Sequence, residues 1–231
     1  MKKIKIVLLF LFTVLIIITL IYMFDFGLDS GLLTEQPCKA PCWKNLIPGQ
    51  TTEDEINRFL ISLESRDWVI GNERNTSFGC RIINLKYKPD SMKSATFELA
   101  IENGRLVMIT SLPRNVHPIG IISLWFGQPE SIESILGVGP ESNSYLPMVF
   151  YPKQGMAFVL NGDDHNPGFI HPFMMMSVIY YYQPGTVSNY YLAEYSCEMG
   201  QEEASQFSQK QISRFVRPWT NYGKVEVFTS K

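Results

Sequence analysis

Four cysteines, Cys38, Cys42, Cys80 and Cys197, are the residues of this chain best suited to form covalent cross-links or to hold a metal. Cys38 and Cys42 lie in "PCKAPCWKNLIPGQTTEDEINRFL", residues 37–60, where a C-x3-C pair resembles half of a metal site. Zinc sites prefer C-x2-C with matched partners, and neither a histidine nor a second close cysteine pair stands nearby to complete the ligands. Two disulfides are the simpler reading for a domain outside the cytoplasm. Because Pro41 interrupts the short segment, Cys38 and Cys42 are expected to reach distant partners, Cys80 and Cys197, with the connectivity otherwise open. A bridge across so long a loop restrains the unfolded chain by about 4 kcal/mol in the entropic account.

A second polar cluster, "NGDDHNPGFIH" at 161–171, offers Asp163, Asp164, His165 and His171 to a cation. It lacks the regular oxygen spacing and closing glutamate of a calcium loop, and Gly162, Asn166, Pro167 and Gly168 explain it as a turn. His117, before Pro118, reads as a solvated residue at a helix start. Glu53, Asp54 and Glu55 suit the positive end of a helix dipole better than acid–base chemistry, because no nucleophile or histidine accompanies them in sequence. The nucleophile elbow, zincin helix, phosphate loop and dinucleotide fingerprint are all missing from the sequence. No catalytic residue, metal ligand or cofactor is assigned.

The elements that carry these residues begin at a membrane. Lys2, Lys3 and Lys5 precede an apolar run from Ile6 to Phe24, 19 residues or about 28 Å of helix. A cleavable signal would have a shorter apolar region and small residues at its end. The run therefore predicts an uncleaved single-pass anchor in the cell membrane. The lysines place residues 1–5 in the cytoplasm and the bulk outside, with 25–37 as linker. Setting aside the three leading lysines leaves 17 basic against 22 acidic residues, which speaks against a nucleic-acid partner. The charged share, 18%, is low enough to suggest that a partner or membrane covers part of the surface.

Beyond the linker, Pro48-Gly49 marks a turn, and Thr52 with Glu55 forms a capping box ahead of the stripe Ile56, Phe59, Leu60 and Leu63. "CRIINLKYK" and "ATFELAIENGRLVMITSL" read as strands, with Asn103-Gly104 as a hairpin turn. A second helix is expected from Pro118 to Phe126, stopped by Gly127 and Pro129. A hairpin about Pro152 to Gly155 follows, and then "FMMMSVIYYY" as a central strand covered on both faces. Trp43 and Trp125 read as core plugs. "QEEASQFSQKQISRFV" predicts another helix, and Lys224 to Phe228 a last edge strand. The expected class is α+β, helices on an antiparallel sheet after a transmembrane helix, with two similar helix-plus-hairpin halves at 38–112 and 113–231.

"PCWKNLIPGQTTEDEINRFL", "IISLWFGQPESI", "VFYPKQGMAFVL" and "WTNYGKVEVF" together resemble a group of bacterial envelope proteins, often lipid-anchored, that begin with a PCW…PG.TT segment. "PGQTTEDEI" and "FGQPESI" are also similar to repeats of the small outer-membrane assembly lipoproteins and of β-lactamase-inhibitor-like domains. The first resemblance brings no activity, and the second implies binding or assembly on a helix-and-sheet fold. This chain departs from both in lacking a lipid-acceptor cysteine. The expected function is that of a non-catalytic extracytoplasmic binding or assembly domain with an envelope protein as its partner. The alternatives are a hydrolase built around Asp163 to His171 and an accessory subunit of a membrane complex.

Overall fold

The helix opened by Thr52 shows how the folded domain starts. A computed structural model describes residues 12–14, 38–64, 68–87, 96–112, 117–138, 143–162 and 166–230. In it α1 spans Glu53–Glu64. The Thr52 amide and hydroxyl donate to Glu55 Oε2 at 2.8 and 2.9 Å, and the Glu55 amide donates back to Thr52 Oγ1 at 3.4 Å. These bonds hold the Glu55 carboxyl below the usual carboxylate range. Glu53 serves as a strap, since Arg81 reaches it at 2.8 Å while also holding Glu73 at 2.7 Å. Ile56, Leu60 and Leu63 turn inward and are buried. The acidic triplet is thus largely spent on structure.

The strands are β1 (Trp68–Asn75), β2 (Cys80–Tyr87), β3 (Thr96–Glu102), β4 (Arg105–Leu112), β5 (Ser131–Val138), β6 (Asn143–Tyr151), β7 (Met156–Leu160), β8 (Phe169–Ile170), β9 (Met176–Tyr182), β10 (Val216–Pro218), β11 (Gly223–Lys224) and β12 (Phe228–Ser230). Among the described residues the main sheet runs β1-β2-β3-β4-β9-β7-β6-β5-β10. Its pairs are antiparallel except for β12, which lies parallel to β5. α1 precedes the meander β1 to β4, and α2 (Ile119–Phe126) precedes β5, β6, β7 and β9. The last strands of the two runs, β4 and β9, pair at the centre of the sheet. Asn103 and Gly104, both at positive φ, make the β3–β4 turn, and Gly155 at φ 64 closes the β6–β7 hairpin, as their sequence implies.

Alternation along the strands sends one set of side chains to each face. Ile83, Leu99, Ile109, Phe158 and Tyr181 join α1 and α2 on one face. Ile82, Ala100, Met108, Phe150 and Tyr182 face a helical hairpin, α3 (Val187–Met199) and α4 (Gln201–Phe215), on the other. α4 matches its sequence signal. α3 was not anticipated, because its tyrosines and small residues spread around the helix rather than forming a stripe. β1 was also missed, since this edge strand is exposed on most of both faces.

Several expectations are corrected. The disulfides are Cys38–Cys42 and Cys80–Cys197, so neither member of the close pair reaches far. A turn in which the Cys42 amide donates to the Lys39 carbonyl at 3.0 Å brings the Cys38 and Cys42 Cα atoms to 5.6 Å, within disulfide reach. His117 is buried rather than solvated, because the neighbouring Pro118 bridges to Met175 and draws it under Trp125. Trp125 is 44% exposed and lids that histidine, whereas Trp43 is fully buried as expected. Pro118 is the residue before α2 rather than its first member. The single strand expected at Lys224 to Phe228 is split, with Gly223–Lys224 on β8 and Phe228–Ser230 on β5. Residues 12–14 are helical; the rest of the 6–24 run and the linker lie outside the described residues. Among those described, no helix is long and apolar enough to cross a membrane.

Candidate functional site

The helical hairpin does not cover its face of the sheet completely. Between α3 and the β1–β2 hairpin lies a groove of about 550 Å³. Its floor is Ile82, Ala100 and Met108, contributed by β2, β3 and β4, which the register brings side by side. α3 forms one wall. Tyr190, Tyr191, Glu194, Cys197 and Glu198 recur near helical spacing, so one face of α3 carries aromatic packing, a cross-link and two carboxylates together. Glu98 from β3 and Arg74 from β1 complete the charged lining.

Aromatic packing fixes the position of α3. Tyr190 meets Tyr180, Phe150 and Tyr182 at centroid separations of 5.2, 5.4 and 5.7 Å, all near edge-to-face. Edge-to-face contacts place the positive ring edge against a negative face and add about 1 kcal/mol each beyond burial. The Cys80–Cys197 bridge pins the end of α3 beside the groove. Farther along the same face, Glu133 of β5 is buried, and burial raises its carboxyl.

The electrostatics of the groove centre on Glu194. Burial pushes its carboxyl up to about 7, and the charges of Glu198 and Glu98 act in the same direction. Burial also raises the Tyr180 hydroxyl, with Glu194 adding to the effect. The groove thus carries three carboxylates against one guanidinium, over an apolar floor. Such a lining suits a ligand with a cationic head and an apolar body, and its Glu194 proton is exchanged near neutral pH.

A raised carboxyl makes ionisation oppose folding. Glu194 is neutral in both states below the unfolded value of 4.5, so its penalty is absent there, grows as pH rises towards about 7, and is constant above. Glu194→Gln is therefore expected to leave stability nearly unchanged at about pH 4 and to raise it by about 2 kcal/mol at about pH 8, a figure discounted for the open groove. Urea titrations across this range provide the check, and parallel stability curves for the two proteins would refute the assignment.

Of the residues singled out by sequence, the structure joins the four cysteines into two bridges and leaves His171 half-buried between the rings of Phe169 and Phe173. Asp163, Asp164 and His165 lie outside the described residues. Among those described, no group of three or more His, Cys, Asp or Glu side chains is placed to hold a metal. The groove carboxylates were not foreseen. The signal available was Glu194 and Glu198 at a spacing of four, legible only once that segment is known to be helical. Neither protein-family models, curated proteins nor solved structures gave a match to this chain.

Proposed function

We propose that this chain is a single-pass membrane protein whose residues 6–24 span the cell membrane, with 1–5 in the cytoplasm and the outer domain acting as a non-catalytic binding or assembly module of the envelope. Its halves at 38–112 and 113–231 each supply a helix and a four-strand run to one shared sheet. The groove across that sheet's opposite face seats a basic segment of an envelope protein. The observation that carries this reading is the groove itself: Glu98, Glu194 and Glu198 surround an apolar floor, and the titratable lining is otherwise Arg74 and Tyr180. Carboxylates around an apolar floor fit a lysine or arginine whose stem packs while its charge pairs.

The test is cross-linking in intact cells followed by affinity capture of the full-length chain, in parallel with the Glu98→Gln, Glu194→Gln, Glu198→Gln triple variant. The expected result is one envelope protein recovered near stoichiometry with the native chain and lost with the variant, whose circular dichroism is unchanged. Equal recovery with both would remove the groove from the proposal. Recovery of nothing but the chain itself would sink the binding reading.

A further inference from the structure

The register defines two ends of the central strands. At one end Leu112 pairs with Thr96 as β4 finishes and β3 begins, and Ser111 pairs with Ile179 of β9. The same end receives the start of α2, whose Ile119 amide donates to Met174 and Gly120 amide to Pro172. Phe173, between those two residues, is 71% exposed, and Leu112 is 51% exposed. Trp125 reaches back over His117 at 5.2 Å, and the His117 carbonyl accepts from Met176 at the start of β9. Phe169, also exposed, continues the row through His171. Leu112, Trp125, Phe169 and Phe173 thus stand open to water at this end of the sheet, while other exposed apolar side chains such as Ile61 and Leu146 sit on other elements.

The described domain also begins at this rim. Trp43 stacks flat on Phe97 at 4.1 Å, one residue from Thr96, so the Cys38–Cys42 turn sits beside the β3 start. Lys39 of that turn and Lys86 near the end of β2 are exposed, and Lys44 is half-buried. From here the chain leads back through 25–37 to the apolar run at 6–24. Those 13 residues of chain reach at most about 45 Å when fully extended.

We infer that this rim, carrying Leu112, Trp125, Phe169 and Phe173 with Lys39 and Lys86 beside them, lies against the anionic surface of the bilayer that holds the N-terminal segment. The inference rests on the anchoring proposed above and adds an orientation to it. Trp and Phe favour the headgroup boundary, where an aromatic body is sheltered while polar neighbours stay wet, and lysines there meet lipid phosphates. The tether holds the rim at an effective concentration on the order of millimolar, so contacts too weak to recruit a free domain suffice to orient a tethered one. The groove, on the face away from α1 and α2, then opens sideways to the membrane rather than onto it.

The test uses the full-length chain in vesicles of phosphatidylcholine with about one-third phosphatidylglycerol, acyl chains brominated, with tryptophan emission as the readout. Flotation with the vesicles reports the anchor. The native chain is expected to be quenched more than Trp125→Phe, by about twofold, and Phe173→Asp combined with Leu112→Asp is expected to remove most of that difference without altering flotation or circular dichroism. Both replaced side chains are exposed, so the fold does not depend on them. Flotation without Trp125 quenching would overturn the rim contact while leaving the anchor standing; failure to float would overturn both. Equal quenching in phosphatidylcholine alone would overturn the assignment to an anionic surface. Lipid-independent shielding of Trp125 that follows protein concentration would replace the bilayer with a second copy of the chain.

Discussion

Removing the Cys80–Cys197 bridge with paired alanines is expected to lower the folding free energy by about 4–5 kcal/mol, whereas the same change at Cys38 and Cys42 costs about 2 kcal/mol. The contrast follows from loop length, since one bridge joins residues 117 apart and the other residues 4 apart. Closing a long loop restricts the unfolded chain far more than closing a short one. The long bridge also ties α3 to β2 across the whole second run of strands, so its loss should loosen the groove wall together with the fold. Guanidinium midpoints for the two paired variants decide the matter. Equal losses would show that the loop argument does not govern this protein, and that native-state packing around the sulfurs does.

Trp43→Ala is expected to cost about 4 kcal/mol, among the larger values for a single core truncation. Trp43 is fully buried, stacks on Phe97 at 4.1 Å, and meets Phe59 and Trp68 edge-on at 5.6 and 5.7 Å. The indole therefore joins the entry segment to α1, β1 and β3 at once. Neighbours on three separate elements cannot all collapse into the space it leaves, so the cavity term adds to the lost transfer energy. Trp43→Phe, which keeps an aromatic stack but loses volume, should fall between the native chain and the alanine variant. A loss below about 1 kcal/mol for Trp43→Ala would mean that residues 38–46 are not part of the cooperative core.

The two predictions bear on the proposed function through different parts of the fold. The short bridge and Trp43 shape the entry segment, which sits beside the exposed apolar rim. The long bridge holds the wall that carries Glu194 and Glu198. Reduction of the long bridge should therefore impair the proposed partner capture before it affects the proposed rim contact, and the two can be followed independently.

Features that depend only on neighbours along the chain can be read directly from residue order. The Thr52–Glu55 cap, the α1 stripe, the Asn103-Gly104 turn, the Pro152 to Gly155 hairpin, the α4 helix and the buried central strand ending in Tyr180 to Tyr182 were all legible. Each rests on a local pattern: a cap bonds within four residues, and a hairpin turn needs positive φ at specified positions. Which groups meet across the sheet depends instead on docking between elements distant in the chain. α3 showed no stripe because its tyrosines and small residues spread around the helix, and β1 no alternation because an edge strand has little to bury. The Cys80–Cys197 pairing depended on where β2 and α3 dock, which in turn left Cys38 and Cys42 to each other across a local turn. The burial of His117 followed from a bridge between Pro118 and Met175, residues that sequence leaves far apart. The groove is the clearest case. Glu98, Glu194 and Arg74 come from three separate elements, and Glu194 titrates near neutrality because burial and two carboxylates brought beside it raise the cost of its charge, a condition no local pattern encodes.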